Sequence, residues 1–165
     1  MPGAIDVLLL ALMAYFLTMN LTVERCYCAM TVEDCAAAGW PLAQETLTFC
    51  RAYNPLFLAR PEWMRVATCV SAYVFACGYA MIAAAASLNL WRRLTIPIAL
   101  FLGMKLNALA FYHAMEFSSP TPPPALGPYF GVEGPYLVSI ALILWRLATV
   151  ASTSQKQPKD ALKRP

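Results

Sequence analysis

The chain has 165 residues, of which 60% are hydrophobic and 13% charged, with a formal net charge of +3 and a mean hydropathy of +0.56. This balance excludes an ordinary soluble domain and predicts an all-α, polytopic membrane protein. With no glycine-rich phosphate loop, no Ser/His/Asp grouping and no basic-aromatic stripe, nucleotide-dependent, acyl-transfer and nucleic-acid functions are disfavoured.

Four stretches are long enough to cross a hydrocarbon core, which takes roughly 20 apolar residues as helix. The first is Ala4–Val23. It has no basic leader and its apolar run is longer than that of a secretory signal, so it reads as a retained helix. The loop after it carries Cys26, Cys28, Cys35 and Cys50. Four cysteines allow three pairings, and one or two structural disulfides are expected if the loop faces an oxidising compartment. Zinc is disfavoured, because Cys26 and Cys28 have no second close cysteine pair and His113 is the sole histidine. Trp40-Pro41, Tyr53-Asn54-Pro55 and Arg60-Pro61-Glu62-Trp63 set aromatics beside prolines at the interface, as Trp91 does opposite.

The second span, Arg65–Leu88, holds Cys69 and Cys77, and the third, Leu94–Ala114, holds Lys105. Pro120–Pro124 then forces an extended loop. The last span, Pro135–Val150, is short and needs neighbouring residues to complete it; its Arg146 is expected to snorkel to the surface. Residues 1–151 thus form one four-transmembrane-helix bundle, and Ser152–Pro165 reads as a disordered cytosolic tail. Arg92, Arg93 and the tail residues Lys156, Lys159, Lys163 and Arg164 lie on the side of the N-terminus. That side is expected to be cytosolic, with the cysteine loop lumenal and the endoplasmic reticulum as the membrane.

A basic side chain as deep as Lys105 is expensive to insert and is usually kept for a partner or a ligand. In this topology Asn20 and Glu24 lie one turn apart at the lumenal end of the first span. Tyr112, His113 and Glu116 reach the same end of the third, with Lys105 about two turns deeper. Ser71 and Tyr73 enter from the second span, and Asn107 flanks Lys105. The expected catalytic groups are Glu24, His113 and Lys105; the expected substrate-binding groups are Asn20, Ser71, Tyr73, Asn107, Tyr112 and Glu116. Polar groups converging beneath an apolar wall suit a lipophilic molecule with one polar feature.

The order of these features resembles the emopamil-binding protein, or EXPERA, superfamily, whose members include sterol double-bond isomerases and the sigma-2 receptor. Asn20-Leu-Thr-Val-Glu24 is similar to the isomerases' first-helix His-x-x-x-Glu. Asn54–Trp63 is similar to the receptor segment before the second helix, Cys69-Val-Ser71 falls at the family's Cys-x-Glu, and Gly134-Pro-Tyr-Leu137 resembles the receptor's opening of the last helix. The likeness spans most of residues 10–150. It implies a four-helix scaffold with a buried lipophilic pocket and proton-shuttling acids. Glu24 keeps its place, whereas Asn20 stands for the histidine, Ser71 for the second glutamate and Pro135 for the last-helix asparagine.

The departures argue against the usual sterol isomerisation and leave two expectations. One is an isomerase- or cyclase-type enzyme acting on a terpenoid, sterol or polyketide in a biosynthetic pathway, without a cofactor. The other is a non-catalytic binder of sterols or cationic amphiphiles, as the receptor likeness implies. The expected partners are a lipophilic small molecule and the bilayer, with a homodimer as the candidate assembly.

Overall fold

The computed structural model describes residues 3–161, with side chains described through residue 152. In chain order the helices are α1 (Ala4–Ala29), the short α2 (Val32–Ala37), α3 (Ala43–Tyr53) and α4 (Pro55–Ala59), then α5 (Glu62–Leu88), α6 (Trp91–Phe117) and α7 (Leu126–Ala161). There is no strand among the described residues. Helices α1, α5 and α6, and α7 over Leu126–Ser152, are each long and apolar enough to cross a membrane. The backbone of α7 continues through residue 161; the end of the expected tail, 162–165, lies outside the described residues.

The four long helices alternate in direction. Helix α1 packs against α5 and α7, and α6 closes the ring by packing against the same two. Leu9, Met13, Phe16 and Asn20 of α1 are fully buried at a spacing that places them on one helix face. Leu9, Met13 and Phe16 share one apolar core with Tyr79 and Ile82 of α5, Ile98 and Phe101 of α6, and Ile140 and Ile143 of α7. Gly78 allows the Phe101 ring to lie directly on α5, where a Cβ would overlap it. Outward positions such as Ile96, Leu100 and Trp145 are apolar, as lipid-facing positions must be.

One end of the bundle is tied by Asp6. Its carboxylate accepts from the Gly3 N–H at 3.0 Å, the Trp91 Nε1 at 3.1 Å and the Arg146 guanidinium at 2.9 and 3.2 Å. Arg146 therefore does not simply snorkel. It is held within the bundle by an acid 140 residues away in sequence, with its guanidinium over the Trp91 ring.

The opposite end is roofed by α2, α3 and α4. Disulfides join Cys26 to Cys35 and Cys28 to Cys69. The second of these leaves the loop and reaches into α5, a pairing outside the four loop cysteines considered from sequence; Cys50 is free. Arg60, at the end of α4, donates to the carbonyls of Tyr27 at 2.8 and 3.2 Å and of Cys28 at 3.3 Å. These carbonyls belong to the last turn of α1, which has no intrahelical donors left to offer them.

The helices run further toward this roof than the apolar stretches suggest. Helix α7 begins at Leu126 rather than Pro135. Pro128 falls in its first turn, where a missing N–H costs nothing, and Pro135 lies inside the helix. This extension brings Tyr129 and Glu133 into the bundle.

Candidate functional site

A cavity of about 360 Å³ lies between the roofed halves of α1, α5, α6 and α7, beneath α3 and α4. Its wall is mostly apolar, with Val23, Phe49, Phe57, Phe75, Leu109 and Val132 among the lining residues. The polar groups reaching it include Glu24, Ser71, Lys105, Tyr112 and Glu133. The buried face of α3 is Ala43, Leu47 and Cys50, so α3 lies on the bundle as an amphipathic cover.

The cavity is lined by a wide π turn in each of α1 and α5, Asn20–Glu24 and Ser71–Phe75, in contact with one another. A π turn inserts a residue and changes the direction in which the following side chains point; such turns recur at functional sites. Asn20 Nδ2 donates to the Ser71 carbonyl at 2.7 Å, clamping the two turns together. Beyond this clamp, Glu24 reaches the cavity with the Ser71 hydroxyl against its carboxylate. Glu24 Oε2 is buried and has no hydrogen-bond partner among the described residues, an arrangement that polar groups in proteins rarely keep without a use.

Lys105 is 7% exposed. Its Nζ lies 4.5 Å from the centre of the Tyr136 ring, 4.7 Å from Phe75 and 5.6 Å from Tyr79. Three ring faces around an ammonium give it electrostatic support in a place without bulk water. They do not give it acceptors for its three N–H donors. No carboxylate lies within 4.0 Å of it among the described residues, although Glu24 and Glu133 line the same cavity.

A second polar group adjoins the cavity. Asn54 donates to the Tyr112 hydroxyl at 3.3 Å, and both residues face the buried Glu116. The Tyr129 hydroxyl donates to Glu116 Oε2 and lies 3.0 Å from His113 Nδ1. That hydroxyl has one proton, so when it is given to Glu116 the contact with His113 is made by a proton on Nδ1, the roles following the histidine tautomer. Nε2 is buried without a partner among the described residues. The chain of groups runs from the cavity edge at Tyr112 to His113.

The structure brings Glu24, Ser71, Lys105 and Tyr112 to the cavity and places Asn20 behind Ser71 as a clamp. Glu116 and His113 lie one layer further out, in the network. Tyr73 and Asn107 do not join them: Tyr73 is 56% exposed and Asn107 is exposed, both on the outer surface of the bundle. Tyr73 lies across α5 from the inward line of Thr68, Ala72, Phe75 and Tyr79, two residues and so about 200° around the helix from Ser71. Sequence reasoning missed Glu133, Tyr129, Tyr136 and Asn54. The signal was present in part, since Tyr129, Glu133 and Tyr136 recur at a spacing that places them on one helix face, but it starts upstream of Pro135.

Cys50 also lines the cavity, from α3. Burial, with Glu116 and Glu133 nearby, pushes its thiol up to about 12, so it stays an unreactive apolar contact at neutral pH. Among the described residues no three His, Cys, Asp or Glu side chains are grouped to hold a metal ion. No family model, curated protein or solved structure matches the chain.

Proposed function

We propose that the protein is an integral membrane enzyme of the isomerase or cyclase type. Its substrate is a lipophilic molecule of terpenoid, sterol or polyketide character that enters the bundle cavity from the bilayer, with Glu24 as the proton carrier. The observation that carries this reading is the pairing of a carboxylate oxygen without a partner and a lysine without an ion pair in one apolar cavity. A shaped apolar wall can fold or orient a hydrocarbon chain, and one positioned carboxylate can deliver or remove a proton. The Asn20–Glu24 resemblance to the emopamil-binding protein superfamily supports the same chemistry. The two disulfides on the roof favour an oxidising compartment for that end, in keeping with the endoplasmic reticulum and with cytosolic termini.

A non-catalytic receptor for cationic amphiphiles is the alternative. It is less well supported, because Lys105 already occupies the ring faces that would hold a ligand's cation. Isomerisation and cyclisation leave molecular mass unchanged. Untargeted metabolite profiling of a strain lacking the gene is therefore expected to show loss of one lipophilic compound and accumulation of another of identical mass. Unchanged profiles, or an accumulated compound of different mass, would overturn the isomerase and cyclase reading.

A further inference from the structure

We infer that the substrate carries a carbonyl group whose oxygen is seated on Lys105, and that the reaction is proton transfer next to that carbonyl. The inference rests on the enzymatic reading above and deepens it by naming the substrate's polar group. The Lys105 ammonium has three N–H donors, and its Nζ lies over the rings of Phe75, Tyr79 and Tyr136, whose faces are not oxygen acceptors. A buried donor without an acceptor is costly, and the open direction from this ring cage is the cavity that Lys105 lines. An oxygen arriving there gains a charge-assisted hydrogen bond in a site of low dielectric. A hydrocarbon gains nothing from the lysine, and a cation is repelled by it.

The acid is placed to match. Glu24 lines the same cavity with one oxygen unengaged, and no ion pair within 4.0 Å joins it to Lys105 among the described residues, so each is left to engage a different atom of one bound molecule. In a β,γ-unsaturated ketone, the Glu24 carboxylate takes a proton from the carbon next to the carbonyl. The electron pair of that C–H bond becomes a new C=C bond, and the carbonyl π pair moves to oxygen, where the ammonium stabilises the dienolate. The protonated Glu24 then returns its proton to the γ carbon as the oxygen's electron pair restores the C=O bond. The double bond has moved into conjugation, Glu24 is a carboxylate again, and nothing is oxidised or reduced. Glu133, the second carboxylate on the cavity, counterbalances Lys105 while Glu24 holds the proton.

The test is ligand selectivity in purified protein reconstituted in nanodiscs. A panel of ketones graded in size from β-ionone to cholestenone is titrated, each beside the hydrocarbon in which CH₂ replaces the carbonyl. Wild type is expected to bind at least one ketone roughly 10–100-fold more tightly than its hydrocarbon partner, the range set by a hydrogen bond to a charged group. Lys105→Met is expected to erase that preference while retaining hydrocarbon binding. The infrared carbonyl stretch of the bound ketone, read on wild type and so independent of how the variant folds, is expected below its frequency in hydrocarbon solvent. No ketone preference anywhere in the panel, a preference unchanged in Lys105→Met, or an unshifted stretch overturns the inference. A Glu24→Gln variant with full turnover would instead sink the enzymatic reading and leave the ketone preference standing, so the two failures are distinguishable.

Discussion

Glu24→Gln is expected to lower turnover by roughly 10²–10⁴-fold, the usual contribution of a positioned proton-transfer group, while leaving thermal stability in detergent nearly unchanged. The amide keeps the shape of the side chain in the π turn, so the Asn20 clamp on the Ser71 carbonyl is untouched. It also keeps an oxygen toward the Ser71 hydroxyl. What it loses is the exchangeable proton. Turnover of the accumulated isomer by membranes normalised for protein content measures the effect. Full activity in a well-expressed variant would remove Glu24 from the chemistry and shift attention to Glu133 and to the Glu116, Tyr129 and His113 network beside the cavity.

Asp6→Ala carries the largest expected effect on stability, about 2 kcal/mol, since Arg146 is only partly buried, its side chain 26% exposed, and loses a charged acceptor without being stranded as fully as in a buried pair. The substitution takes away the acceptor shared by Arg146, Trp91 and the Gly3 N–H and leaves a guanidinium unpaired inside the bundle. The double variant Asp6→Ala with Arg146→Met is expected to recover a large part of that loss, because the stranded charge disappears and methionine packs on the Trp91 ring. A melting series of wild type, both single variants and the double variant gives the coupling directly. Additive effects would mean that Arg146 reaches water independently of Asp6. This cluster lies at the bundle end away from the cavity, so Asp6→Ala protein that remains folded should keep its ligand selectivity.

The scaffold was largely legible in the sequence, because the demand for roughly 20 apolar residues per span stands out against a 13% charged background. The central lysine was equally visible, for the same reason. Less legible were the helix ends near the site. The apolar run of the first span ends at Val23 and that of the last begins at Pro135, yet α1 continues to Ala29 and α7 starts at Leu126, because Cys26 and Tyr27 are buried under the disulfide-tied roof and Tyr129 against the end of α6. Glu133 was lost to that boundary. Tyr73 was misplaced for a different reason: it stands two residues from Ser71, about 200° around a helix of 3.6 residues per turn, and so faces away from the inward line of Thr68, Ala72 and Phe75. Asn107 lies on the side of α6 opposite the cavity, a choice of face that the weak amphipathicity of a membrane helix leaves undetermined. The ion pair between Asp6 and Arg146 joins the first and last spans, and no local pattern could have linked them.

The central claim is that substrate sits inside the bundle between Glu24 and Lys105, and photo-crosslinking tests it most directly. A diazirine derivative of the isomer that accumulates without the gene, irradiated in wild-type membranes and mapped by peptide mass spectrometry, is expected to label cavity residues such as Met19, Phe75, Leu109 and Val132, with labelling competed by the underivatised compound. Labelling confined to the outward face around Tyr73, Leu100 and Asn107, or labelling that the free compound does not compete, would contradict it.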